Sequence, residues 1–342
     1  MSSERPESAK LGPEALERLV LDLLGASPEK LLVAPGPGRD YGAASIGGGK
    51  VLVATTDPVY VLPLFGWKWA GWFAYQILVA DAYASGIPPS FLSITLNLPP
   101  STPDQTLRNI WSSISEACAE TGVTVLCGHT ARYEGCSFPT VGAGTVLSLG
   151  DEGDLLSTSL VEPGDEILVT TGLGVEAALT LQCKELNAGK TGEPTVPDGF
   201  SALSVVREAE AVVAAGGRKS GVSCMHDAAE GGVLGSLFEV LRATGFGADV
   251  DAAAVDNPVS FQATLEKHGL DPWSSSSQGT MLVFCRPEAT SRVSGSIQAA
   301  GVDCWVAGSV TRGPPKVKFF GGGVARELRA PPPDEFWAAF TK

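Results

Sequence analysis

Four aspartates stand where the surrounding residues call for something apolar or neutral, and an acid so placed points to a cation. Asp81 lies between Ala80 and Ala82 in an apolar stretch. Asp57 follows Val51-Leu52-Val53-Ala54, a short buried strand that delivers Thr55-Thr56-Asp57. Asp40 belongs to the run Gly36-Pro37-Gly38-Arg39-Asp40-Tyr41-Gly42, and Asp227 sits between Met225-His226 and Glu230-Gly231-Gly232, at an expected helix entrance. Three of them have plain alternatives: Asp227 as an N-cap, Asp57 as an Asx turn before Pro58, Asp40 as a solvated loop residue. Asp81 is harder to dismiss, since a lone charge in an apolar helix costs about several kcal/mol unless paired or on a metal. Lys68 is the one local cation in the sequence, which makes Mg2+ the sensible partner. Magnesium takes hard oxygen ligands and holds triphosphate oxygens through one or two carboxylates plus water. Asp40, Asp57, Asp81 and Asp227 are therefore the candidate metal ligands.

Phosphates need donors as well as metal. Glycine turns let backbone N–H groups approach phosphate oxygens, and helix N-termini favour negative charge. Gly38 and Gly42, with Asp40 between them, form one candidate cradle, and Gly231-Gly232 a second. No Walker motif and no protein-kinase motif set occurs, so any ATP site here uses a different cradle. His129 follows the strand Val123 to Leu126, flanked by Gly128 and Thr130, and is a candidate phosphate or metal contact. His226 is placed to orient Asp227 or to act as acid or base, whereas His268 sits on a polar stretch and carries no signal.

The elements that position these residues read as mixed strands and helices. A helical period runs from Leu11 to Leu24 and ends at Gly25. Helices are expected over 66–86, over 103–121, from Val175 to about Leu186, over 201–215 and over 231–243, with one more near 287–300. Strands are expected over 91–98, 123–126, 141–149 and 166–170, with a final pair near 280–285 and 304–310. The aromatics Phe65, Trp67, Trp69, Trp72, Phe73 and Tyr75 suit core packing or a dimer contact. Polar turns near 150–162 mark a boundary, giving a tail and helix at 1–30, an N-terminal domain at 31–155 and a C-terminal domain at 156–342. The fold class is α+β.

Composition narrows the function classes. The 342-residue chain carries a formal net charge of −14 and no basic run, which argues against a nucleic-acid partner but not against a nucleotide. Its seven scattered cysteines, none in C-x-x-C spacing, read as reduced thiols. No signal peptide and no uninterrupted apolar stretch of membrane-spanning length appears, so no membrane role is expected and the location is read as cytoplasmic.

Five segments in this order resemble the aminoimidazole ribonucleotide synthetase superfamily: Gly38-Arg39-Asp40-Tyr41-Gly42-Ala43-Ala44, Thr55-Thr56-Asp57-Pro58, Ala80-Asp81-Ala82-Tyr83-Ala84-Ser85-Gly86, Cys127-Gly128-His129-Thr130 and Met225-His226-Asp227-Ala228-Ala229-Glu230-Gly231-Gly232. The hydrogenase-maturation carbamoyl dehydratase branch is nearest. The resemblance implies a two-domain synthetase-like fold, in which an N-terminal mixed sheet pairs across a homodimer and a C-terminal α/β domain closes over ATP. It implies Mg2+ on Asp57 and Asp81 with Asp40 assisting and Asp227 contributing from the second domain. Asp81, His129 and Asp227 become the catalytic candidates, and Gly38, Asp40, Gly42, Gly128, Thr130, Gly231 and Gly232 the nucleotide-binding ones. His129 stands where many relatives carry Asp or Glu.

The reaction so implied is phosphorylation of an amide-like or acyl oxygen of a small substrate, with a maturation-complex protein as a further partner. The hydrogenase-maturation enzymes present a C-terminal cysteine, whereas the last cysteine here is Cys304, so the substrate is expected to be free or carried elsewhere. Ala228-Ala229 replaces the Pro-Thr or Thr-Arg of many relatives. That change supports an alternative, a non-catalytic nucleotide-binding regulator or scaffold. A third reading, a structural metal-binding protein, requires Asp81 to be paired internally.

Overall fold

The computed structural model describes residues 12–25, 30–321 and 324–341. Its first half runs α1 (Pro13–Leu19), β1 (Leu31–Val33), β2 (Gly42–Gly47), β3 (Lys50–Tyr60), α2 (Gly66–Ala84), β4 (Pro89–Leu98), α3 (Asp104–Thr121), β5 (Thr124–Arg132) and β6 (Thr140–Asp151). These strands form one sheet in the order β1-β2-β3-β6-β4-β5, antiparallel except for the β4–β5 pair.

The second half runs β7 (Glu166–Thr170), α4 (Val175–Asn187), α5 (Val206–Ala214), β8 (Val222–Ala228), α6 (Gly232–Thr244), β9 (Gly247–Asp251) and α7 (Val259–Lys267). It continues with β10 (Thr280–Cys285), α8 (Pro287–Ala299), β11 (Cys304–Thr311), β12 (Val317–Gly321), β13 (Val324–Leu328) and α9 (Phe336–Phe340). Its seven-stranded sheet has the order β13-β12-β9-β11-β7-β10-β8, with β12–β9 the parallel pair. This is the α+β, two-sheet architecture expected from the pattern. No helix among the described residues is long and apolar enough to cross a membrane.

Helix α2 joins the halves. It is apolar on nearly every side because it is covered on nearly every side: α3 and β3 lie against it from the first half, α5 and β8 from the second. At Gly71 a Cβ would lie 2.5 Å from the carbonyl oxygen of Ile110, so glycine is what permits the close approach of α2 and α3. Tyr83 donates to Glu210 Oε1 at 3.1 Å, and Ser204 donates to Gln76 Oε1 at 2.7 Å, tying α2 to the second half. The aromatic group is also internal: Phe65, Phe73 and Tyr75 are buried, and Trp69 and Trp72 pack around Phe200 from the second half.

Several expectations change. The Leu11–Leu24 helix breaks at Val20, where φ is −127°, and a single 3-10 turn over Leu21–Leu23 replaces its last part; Leu11 lies outside the described residues. The helix expected over 201–215 begins only at Val206, after a 3-10 turn at Phe200–Leu203. The strand pair at 280 and 304 is not final, since β12 and β13 extend the sheet. Asp57 does not end its strand: β3 continues through Pro58 to Tyr60. Asp227 is no N-cap; it lies within β8, and the N-cap of α6 is Gly231.

Glu208 on α5 braces the loop that follows β7. Its Oε1 accepts the hydroxyls of Thr170 and Thr171, each at 3.1 Å, and Thr171 holds a left-handed φ of 62°. Burial pushes its pKa up from 4.5 to about 7, while its own backbone and the two threonines pull it down. A raised folded-state pKa means that the folded chain keeps a proton the unfolded chain loses. The resulting stabilisation is full below about pH 4.5 and is lost as pH rises through about 7. Glu208→Gln keeps an acceptor for the threonines but cannot titrate. Chemical denaturation from pH 4.5 to 8 should therefore show a flatter profile for the variant, by up to ~3 kcal/mol across the window.

Candidate functional site

Three segments deliver carboxylates to one place. On β3 the odd positions Val51, Val53 and Thr55 are buried, and Asp57 continues that face. On α2, Ile77 and Asp81 are one turn apart and line the same cavity. Asp227 enters from the C-terminal end of β8, whose seven residues are all buried and whose register sets Met281 opposite Asp227 and Leu282 opposite His226. Asp40 comes from the glycine-rich loop before β2. That loop rests on α6: Gly38 has φ 70°, and a Cβ there would lie 2.3 Å from the carbonyl oxygen of Glu239.

The result is a cavity of about 340 Å³ at the junction of the two sheets, within the range of small-molecule sites. Its walls hold Asp40, Asp57, Asp81, Asp227, Glu230 and Glu239, with Arg39 and Arg242 as the cationic residues. Asp81 is hydrogen-bonded to Asp227, and burial, then Asp227, Asp57 and Asp40, raise its pKa well above the carboxylate range. Lys68, expected as the local cation, reaches out to Glu116 at 3.8 Å, with both side chains exposed. The charged groups that raise the Asp81 pKa are all acids.

His226 is the residue whose weight rises most. Its ring is 3% exposed, its Nδ1 donates to the backbone carbonyl of Asp227 at 2.8 Å, and Nε2 lies 3.1 Å from Asp40 Oδ1. Burial works against a charge on this ring, but Asp40, Glu239 and Asp227 outweigh it and raise its pKa above the imidazole value.

Not every candidate converges here. Gly38 and Asp40 line the cavity, while Gly42 is inside β2. Gly231 and Gly232 lie outside the cavity wall, and the Gly231 N–H is already bonded to Asp334 Oδ2 at 3.0 Å. Gly128, His129 and Thr130 are also outside the wall. They lie on the edge strand β5, exposed, with His129 Nε2 2.9 Å from the Tyr133 hydroxyl. Strand β5 pairs only with β4 among the described residues, which carries these side chains to the rim of the sheet.

Two contributors escaped the sequence. Gln278 ends the run Ser274-Ser275-Ser276-Ser277-Gln278, all five residues buried, and lines the cavity. Its Nε2 is buried without a hydrogen-bond partner among the described residues. A polar run too long for a buried turn was the available signal. Asp334 accepts from Gly231 N–H and, at 2.6 Å, from the Ser276 hydroxyl, so the segment before α9 supports the turn into α6.

The donor set fits magnesium on a polyphosphate. It offers hard oxygen atoms from both halves, held together against their own repulsion, with an unsatisfied amide donor beside them. Two α/β-type sheets closing on a carboxylate-lined cavity define a synthetase-like protein of two domains. The chain belongs to the AIR synthase related family: the N-terminal domain of that family matches residues 38–147 and its C-terminal domain residues 162–319.

Among its relatives, the carbamoyl dehydratase HypE of Rhizobium leguminosarum bv. viciae is 27% identical over 299 residues, covering 84% of this chain and 82% of that protein. The fold also matches a chain of a HypE–HypF complex, with a TM-score of 0.74 at 22% identity over 93% of this chain and 99% of that one. The hydrogenase maturation protein HypE in complex with ATP superposes with a TM-score of 0.66 at 19% identity, over 94% of this chain and 95% of that one.

The geometry sets two measurable expectations. Gly38→Ala should destabilise the protein by about 1–3 kcal/mol in denaturant titration, because the methyl meets the α6 backbone and the left-handed φ is strained. Gln278→Met should do the opposite, raising the stability of the ligand-free protein by about 1 kcal/mol or more by removing a buried donor without a partner.

Proposed function

We propose that this protein is an ATP-dependent enzyme of the hydrogenase-maturation carbamoyl dehydratase type, which activates an amide-like oxygen by phosphorylating it. The observation that carries the reading is Asp81, set in a helix that joins both halves, with Asp227, Asp57 and Asp40 all raising its pKa. The name and ATP complex of the HypE relatives support the same reading.

In this reading Asp57, Asp81 and Asp227, with Asp40 assisting, hold Mg2+ on the triphosphate. When bound there, Mg2+ would supply neutralisation of the phosphate charge. The chain's own part is to position the groups. Arg39 and Arg242 meet phosphate oxygens, Gln278 offers its amide donor, and the Gly36–Asp40 loop packed on α6 keeps the opposing walls in register. Phosphorylation turns the amide oxygen into a leaving group, and its departure as phosphate, with loss of the amide protons, amounts to removal of water.

A homodimer and a cytoplasmic location complete the proposal. Among the described residues no strand pairs with the outer edge of β5, and most of its residues are exposed, including Leu126 at 59%, which supports pairing with a second copy. Gly128, His129 and Thr130 would then lie at that interface. A maturation protein is the proposed hetero-partner, by analogy with the HypE–HypF complex.

Calorimetry with a non-hydrolysable ATP analogue and Mg2+, run beside a phosphate-release assay over carbamoyl and primary amide compounds, tests the reading. Binding and amide-dependent phosphate release are expected; binding without release over the whole panel favours the regulator, and no binding removes both. Asp81→Asn should raise the melting temperature of the ligand-free protein, because a neutral amide relieves the repulsion, while Mg-ATP affinity falls at least about tenfold. Unchanged affinity would refute the metal site as drawn.

A further inference from the structure

We propose that Asp40, His226 and Asp227 form a mixed nitrogen–oxygen site that takes a transition-metal dication of the manganese-to-zinc class in preference to magnesium. The proposal extends the reading of the cavity given above and shares two carboxylates with it, but it concerns metal binding without nucleotide.

One donor atom from each of the three residues lies within 4.8 Å of the other two, close enough to meet on a single ion. The ring of His226 supplies the second, independent observation. Its Nδ1–H donates to the carbonyl of Asp227 at 2.8 Å, which leaves Nε2 as the ligating nitrogen. That pattern, one nitrogen fixed on a backbone carbonyl and the other presented forward, is how metal-binding histidines are oriented.

Nε2 is buried and faces Asp40 Oδ1 at 3.1 Å and Glu239 Oε2 at 3.5 Å, yet neither approach has hydrogen-bond geometry. Carboxylates crowded about a buried ring nitrogen call for positive charge between them, which a metal cation on Nε2 supplies in place of a ring proton. Glu239 stands on α6 beside the backbone that Gly38 touches, so the ion would fasten the Asp40 loop to β8 and α6.

The nitrogen decides the class of metal. Magnesium binds almost wholly through oxygen and gains little from imidazole, whereas affinity for imidazole rises along the series from manganese to zinc. A site meant only for magnesium has no use for a buried ring at this position.

The test uses the full chain, stripped of metal by chelation and free of nucleotide. Mn2+ is titrated by calorimetry, and its ligands are read by pulsed electron paramagnetic resonance. About one equivalent should bind at least tenfold more tightly than Mg2+, with a directly coordinated 14N nucleus. His226→Gln, with its fold checked by circular dichroism, should lose the nitrogen signal and the preference over Mg2+.

If that variant does not fold, the double variant His129→Gln/His268→Gln leaves His226 as the remaining histidine, and the nitrogen signal should persist in it. Manganese bound without nitrogen coupling overturns the proposal. So does coupling that survives in a folded His226→Gln or vanishes in the double variant, or an affinity no better than for Mg2+. Failure of ATP to bind leaves a positive result standing, and an absent nitrogen signal leaves the ATP reading standing.

Discussion

Carboxylates repel, and this structure puts Asp40, Asp57, Asp81 and Asp227 close enough for each of the other three to raise the pKa of Asp81. The folded chain holds them there by surrounding them with packing that has no freedom to relax. Helix α2 is packed by α3, β3, α5 and β8, so Asp81 can face only the cavity. Strand β8 is buried along its whole length, which fixes Asp227. In the ligand-free state a proton held by Asp81, beside Asp227, lowers the local charge, and the same geometry receives a cation once that proton leaves. Stability elsewhere in the two cores maintains a site that works against it.

The arrangement also explains the unusual composition of α2. A helix with one solvent face would let a carboxylate swing out to water. Covering it from two domains requires apolar residues around the whole circumference, with small ones such as Gly71 where another backbone comes close. The aromatic residues at its start then serve to bring the halves together around Phe200. One helix thus couples the positions of the two walls of the cavity.

Legibility in the sequence followed how local each signal was. Asp81 stood out because an acid between alanines is anomalous within a single turn of helix. Asp57 stood out because strand alternation is local too, although the strand's continuation past Pro58 was not. The expected aspartates converge on one cavity, and the α+β pattern matches the two sheets. His129, expected as a phosphate or metal contact, does not line this cavity in the single chain: its motif gives no hint that β5 is an edge strand, and only the sheet order puts it at the rim. His226 was read as a helper of Asp227, since its facing of Asp40 and Glu239 depends on pairing between distant segments. Asp334 was invisible for the same reason, since it bonds to a glycine 103 positions away; Gln278 was signalled only by the polar run that ends on it.

The hydrogen bonds of Asp334 carry a consequence for biosynthesis. The turn that leads into α6 is propped by Asp334, made 103 positions after Gly231, while the Gly38 loop that leans on the same helix is made well before both. A growing polypeptide on the ribosome can bury its aromatic helix and most of both sheets before that prop exists. The rim of the cavity therefore gains its support only after Asp334 has been added, and a product truncated before that residue would display an acidic pocket whose rim is unsupported.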